Sequence, residues 1–71
     1  MRWRPQDLDR LERAIDEGAR IQLSRRGTEY VIVPREIRTE GAEEVIVAVH
    51  PTTGDEMRFG LDEIDAFSVL G

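Results

Sequence analysis

The stretch IQLSRRGTEYVIVP, residues 21–34, is the first in the chain where apolar and polar residues alternate. Ile21 and Leu23 are separated by one polar residue, which is the period of a strand with one buried face. Gly27 follows two arginines and predicts a turn, because glycine adopts positive φ without steric cost. The β-branched run after it predicts a second strand up to Pro34, which marks an edge, a bend or a strand end because proline donates no ladder hydrogen bond. The stretch therefore predicts a β-hairpin.

A different period precedes this hairpin. Leu8, Leu11 and Ile15 recur at the spacing of one helical stripe. Pro5 suits the first position of a helix, where its missing N–H has no partner to lose. Gly18 follows the last periodic residue, as a glycine that ends a helix does. An N-terminal helix is therefore predicted between the proline and the glycine.

Further turn signals after the hairpin divide the rest of the chain into short strands. The segments 39–42 and 51–54 contain glycine, and the second also begins with proline. The prediction is a helix over about residues 5–17 and strands over about 20–25, 29–34, 44–50, 55–61 and 65–70. One helix followed by five short strands favours a mainly β fold, a five-stranded antiparallel barrel of the Sm-like or SH3-like kind.

The composition favours one small domain, residues 1–71, with a net charge of −5 and no cysteine. All ten basic residues are arginine. An acidic protein is poorly suited to the phosphate backbone as a whole and better suited to a basic partner surface. No apolar run approaches the roughly 20 residues that span a bilayer, and no secretory signal is visible. We therefore expect a cytoplasmic protein, a monomer or dimer, without cofactor or metal; the resemblances described next imply a bacterial source.

The chain ends with Leu61-Asp62-Glu63-Ile64-Asp65-Ala66-Phe67-Ser68, which is similar to a Leu-Asp-x-Ile-x-x-Phe-Ser family motif. With this motif as the best local match, the sequence resembles the Rof family of bacterial Rho-termination inhibitors over about residues 8–68. This resemblance implies an Sm-like barrel and a regulatory role that involves an acidic N-terminal helix. Rho or another nucleic-acid-handling protein is the class of partner that it implies.

A weaker pattern consists of Leu11-x-x-Ala14-Ile15-x-x-Gly18, Val33-Pro34 and Arg58-Phe59-x-Leu61-Asp62-x-Ile64. It is similar to the WYL domain, a ligand- or nucleic-acid-sensing module of bacterial regulators. This resemblance implies a ligand-sensing module as a further alternative function.

Two surfaces are candidate binding sites. Asp9, Glu12 and Asp16 lie on the outer face of the predicted helix and are the candidates for contact with a basic partner protein. The alternative is RNA binding by an arginine patch, with an aromatic ring as a stacking face. The residues of this alternative site are Arg25, Arg26, Tyr30, Arg35 and Arg58. The competing interpretation is that these arginines pair with the many carboxylates.

No residue pattern predicts catalysis. His50 is the only histidine and has no nucleophile or orienting carboxylate beside it in the sequence. The carboxylates near residues 55–56 and 62–65 match no metal-binding loop. A non-enzymatic binding or regulatory protein is therefore the function that the sequence favours.

Overall fold

The computed structural model describes all 71 residues and contains one α-helix and one five-stranded antiparallel sheet. The elements in chain order are α1 (Pro5–Glu17), β1 (Ile21–Arg25), β2 (Thr28–Glu40), β3 (Glu43–Val49), β4 (Glu56–Gly60), a 3₁₀ turn (Leu61–Glu63) and β5 (Ile64–Val69). The strand order is β4-β3-β2-β1-β5, so β4 and β5 form the two edges of the sheet. The predicted mainly β fold with an N-terminal helix is confirmed.

The helix has the bounds that its sequence predicts. Gly18 ends it in the left-handed conformation with φ 64°. The N–H of Ala19 then donates to the carbonyl oxygen of Ala14 at 2.9 Å, which satisfies one of the last helical acceptors. At the other end, the Asp7 carboxylate accepts a hydrogen bond of 2.9 Å from the backbone N–H of Arg4. Both ends of the helix are therefore fixed by local contacts.

The second strand is much longer than predicted. Pro34 is buried and pairs with Ala48 of β3, and the register then shifts so that Glu36 faces Val47. Arg35 is the extra residue of this β-bulge, and the ladder continues beyond it to Glu40. The predicted strand end at residue 34 was wrong, and of the alternatives at Pro34 the bend is observed, because a bulge accommodates the missing donor and turns the chain without ending the pairing.

The core lies between α1 and the inner face of the sheet. Its buried members are Leu11, Ala14, Ala19, Ile21, Leu23, Ile32, Ile46, Ala48, Phe59, Leu61 and Ile64. Trp3 packs against this cluster from outside the helix. Its indole N–H donates to the carbonyl oxygen of Leu61 at 2.8 Å, and its ring stacks on Phe67 with centroids 5.2 Å apart. The segment before the helix is thereby joined to the 3₁₀ turn and to β5.

A second buried group lies on the outer face of β3. Val45 and Val47 are only 7% and 4% exposed, although they point away from the core because side chains alternate along a strand. Ion-paired side chains from the flanking strands surround them, and we call this set the charged lid: Glu36, Arg38 and Glu40 on β2, and Glu56 and Arg58 on β4. The alkyl stems of such arginines cover apolar surface while their charged ends stay in water.

Candidate functional site

A groove of about 300 Å³ separates the helix from the bulged part of β2. Its helical wall consists of Glu12, Ile15 and Asp16, which share one face because they are three and four positions apart. Leu11 and Ala14 anchor this wall in the core. We call this feature the acidic groove.

The strand wall of the acidic groove depends on the β-bulge. Arg35, the bulge residue, lines the groove together with Glu36 and Ile37. A bulge redirects the side chains next to it. Because Pro34 is buried, it fixes the position of this bulge in β2. The half-buried isoleucines of the two walls provide an apolar surface between the charged groups.

The carboxylates of the helical wall have no partners. Glu12 and Asp16 are exposed and take part in none of the ion pairs or side-chain hydrogen bonds of the structure. Glu36 differs, because it accepts two hydrogen bonds of 3.1 Å from the guanidinium of Arg38. These hydrogen bonds, with the negative charge of Glu36, raise the pKa of Arg38. The free negative charge of the groove therefore belongs to α1.

Two acidic residues lie where a helix favours positive charge. Asp16 and Glu17 occupy the last turn of α1, which contains no basic residue. The carbonyl end of a helix carries partial negative charge, so carboxylates there are electrostatically unfavourable. Glu12 adds a like charge one turn before Asp16. Asp9 continues the same exposed stripe toward the N-terminus, outside the groove lining.

Of the predicted arginine patch, the structure brings together the side chains of Arg25 and Tyr30, with the backbone of Arg58 beside them. The guanidinium of Arg25 lies 5.1 Å from the ring centroid of Tyr30 and 4.7 Å from that of Phe59. One of its nitrogens donates to the Tyr30 hydroxyl at 3.2 Å, and another approaches the Arg58 carbonyl oxygen at 3.5 Å. The Arg25 side chain therefore packs on the rings of Tyr30 and Phe59.

The other predicted arginines are separated or paired. Arg26 forms an ion pair of 3.0 Å with Glu63. The side chain of Arg58 belongs to the charged lid, with partners at 3.4 and 3.2 Å. Arg35 lies in the acidic groove, five positions along β2 from Tyr30. The sequence did not indicate the contribution of Ile37 and Glu36 to the groove; the only available signal was a proline within a β-branched run.

His50 organises the turn between β3 and β4. Its Nδ1 accepts hydrogen bonds from the backbone N–H groups of Thr52 and Thr53, at 3.1 and 3.3 Å. This position gives the side chain a structural role in the turn.

No group of three or more histidine, aspartate or glutamate side chains is arranged to hold a metal ion. The structure also contains no helix with the length and apolar character needed to cross a membrane.

Comparison with known proteins assigns no family. No protein-family model matches the chain. No curated protein sequence matches it either. The functional argument therefore rests on the geometry and charge of the acidic groove.

Proposed function

We propose that this chain is a small non-enzymatic regulatory protein that binds a basic surface of a partner protein through the acidic groove. Asp9, Glu12 and Asp16 form the acidic side of the contact. Ile15 and Ile37 receive an apolar side chain of the partner between the charged groups. Partly buried apolar surface flanked by unpaired charge is a common composition for a protein-binding site.

The observation that carries this proposal is the pair of carboxylates in the last turn of α1. Asp16 and Glu17 oppose the helix dipole and have no compensating basic neighbour in that turn. Residues that break a local rule without a structural gain are expected at functional sites. A basic partner supplies the positive charge that this helix end lacks.

The resemblance to the Rof family extends the proposal to the partner. A nucleic-acid-handling protein of the Rho type presents basic residues that bind phosphate, and an acidic groove competes for them.

We also propose that the sheet closes into an Sm-like barrel. Support comes from β2, whose 13 residues pair with β1 before the bulge and with β3 around and after it. Nuclear Overhauser contacts between β4 and β5 test closure, and their absence would contradict it.

A divided affinity capture tests the function. The tagged chain is incubated with bacterial lysate, with nuclease added to one half. We expect the same protein partner in both halves, and its loss with Glu12→Arg plus Asp16→Arg. Glu43→Arg plus Glu44→Arg is the matched control, because it makes the same charge change at two exposed positions at the start of β3. Retention by the helix variant, or loss in both variants, contradicts a specific acidic groove.

RNA binding through the arginines is the alternative with one supporting observation, the contact of the Arg25 guanidinium with Tyr30 beside the backbone of Arg58. Its support is weaker, because Arg25 packs on two rings and Arg58 is paired with carboxylates. Bound material that disappears with nuclease, and also with Arg25→Ala, favours this alternative. A WYL-like ligand-sensing role is the third alternative, and no feature of the site specifically favours it.

A further inference from the structure

The outer surface of β1, β2 and β5 has no element packed on it. The helix lies on the opposite surface, where Leu23 and Ile32 are buried. Cross-strand rows define this uncovered surface, which we call the open face: Val31, Gln22 and Ser68 in one row, and Glu29, Ser24 and Ala66 in the next. A depression of about 250 Å³ runs along it. The amide of Gln22 donates to Glu29 at 3.1 Å, which shows that the rows share one side of the sheet.

Large apolar side chains are exposed on the open face. Val31 is 41% exposed and Leu70 is 51% exposed, and only two other large apolar residues of the chain are similarly exposed. The N–H of Leu70 donates to the carbonyl oxygen of Arg20 at 2.9 Å. Arg20 and Leu70 therefore face each other and form the row next to the row of Gln22, on the same side of the sheet.

The open face is nearly neutral on a protein whose net charge is −5. Its rows contain two charged residues of opposite sign, Arg20 and Glu29, at opposite ends of the face, and the exposed bulge residue Asp65 lies next to Ala66 at the β5 edge. Two acidic copies repel each other over most of their surfaces. This face is the part of the sheet where a second copy meets little like charge.

We propose that the open face binds the open face of a second copy of this chain. A two-fold axis along the row of Val31, Gln22 and Ser68 places each Val31 against its own counterpart. It also places Leu70 of one copy over Ala66 of the other, a large apolar side chain above a small one. Arg20 then approaches Glu29 of the second copy. An isologous contact of this kind is self-complementary, with two sheets packed about 10 Å apart.

The contact is small. Three strands about 4.8 Å apart, with four to five residues each, provide less than the roughly 800 Å² per partner of a stable complex. We therefore expect a dissociation constant on the order of 100 μM. The acidic groove lies elsewhere, so this contact is independent of the proposed function and leaves that groove free in both copies.

Sedimentation equilibrium from about 10 μM to about 1 mM tests the proposal. We expect the mass to rise with concentration from the 8.1 kDa monomer toward the dimer. Glu29→Arg should weaken the dimer about threefold to tenfold, because the new arginine meets Arg20 of the second copy. That change also lowers the overall negative charge, so a purely long-range effect would strengthen the dimer instead. Arg20→Glu should weaken it similarly, and the double variant should restore it to within about twofold.

Two further variants complete the test. Ala66→Arg fills the position below Leu70 and should abolish dimerisation, whereas Thr52→Arg in an exposed turn should leave it unchanged. Thermal unfolding confirms that each variant is folded. A mass of 8.1 kDa at every concentration overturns the proposal. A dimer that is insensitive to the Glu29, Arg20 and Ala66 changes overturns it as well, because another surface then forms the contact.

Discussion

Replacement of Asp16 by arginine should stabilise the protein. The change removes an anion from the carbonyl end of α1 and adds a cation there, and each step contributes about 0.3–1 kcal/mol at low ionic strength. The pair interactions along the helix nearly cancel, because the change removes the repulsion from Glu12, four positions earlier, but also the attraction to Arg13, three positions earlier. Because these groups are exposed, we expect a net gain of about 1 kcal/mol in the free energy of unfolding.

Urea and thermal unfolding at low salt measure this gain. For a domain of this length, about 1 kcal/mol corresponds to a rise of about 4–8 °C in Tm. Asp9→Arg is the matched control, since it makes the same charge change on the same stripe in the N-terminal half of α1. It should give no gain, and a small loss is expected from the dipole and from Arg13, one turn further along. The difference between the two variants should shrink in about 1 M NaCl, where the screening length falls to about 3 Å.

A lower Tm for Asp16→Arg would refute the reasoning, because Asp16 would then make a stabilising contact in the native state. An equal gain for Asp9→Arg would refute the dipole argument and attribute the effect to net charge alone. If Asp16→Arg is more stable and also loses its partner, the lost binding cannot result from unfolding. The carboxylate would then be retained for binding at a cost in stability, as proposed for the acidic groove.

Paired substitutions at three other positions test individual contacts. Arg58→Ala should destabilise the fold by about 1 kcal/mol in urea unfolding. Arg58→Met should recover most of this loss, because the alkyl stem that covers Val47 contributes more than the exposed ion pairs. Equal losses in the two variants would show that the ion pairs contribute more than the alkyl stem. Trp3→Ala should cost about 2–3 kcal/mol by thermal unfolding. Trp3→Phe should cost about 1 kcal/mol, since phenylalanine keeps the ring contact but loses the indole hydrogen bond. An alanine variant as stable as the parent would show that the segment before α1 is not anchored. His50→Ala should cost about 1 kcal/mol in thermal unfolding. His50→Asn should cost less, because its side-chain oxygen accepts the same turn N–H groups. A melting curve of the alanine variant identical to that of the parent would contradict a structural role of the imidazole.

Local patterns were enough to predict the helix and the hairpin turns. Gly18 and Pro5 fix the ends of α1 through backbone constraints that act within a few residues. The five strands were recognisable for the same reason, because their apolar period and turn residues are properties of the sequence itself. The extension of β2 beyond Pro34 was missed, since a proline in the interior of a central strand is compatible with continued pairing when a bulge forms there.

The candidate site was predictable only in part. The exposed stripe of Asp9, Glu12 and Asp16 follows from helical spacing alone. Its partner wall depends on which residue of β2 forms the bulge, and that depends on the pairing with β3. The positions of Arg25 and Arg35 likewise depend on tertiary contacts, since one packs on aromatic rings and the other lies beside the helix.

The strand order also has a kinetic consequence. Three of the four strand pairings join neighbours in the chain, but β1 pairs with β5, so that Leu23 faces Phe67. Contacts between distant positions require the slow closure of a long loop, so the hairpins should form first and β5 should dock last. Trp3, the only tryptophan, stacks on Phe67 and is therefore a natural fluorescent reporter of this final step. A stopped-flow experiment in which the tryptophan signal develops before strand formation is complete would contradict this order of events.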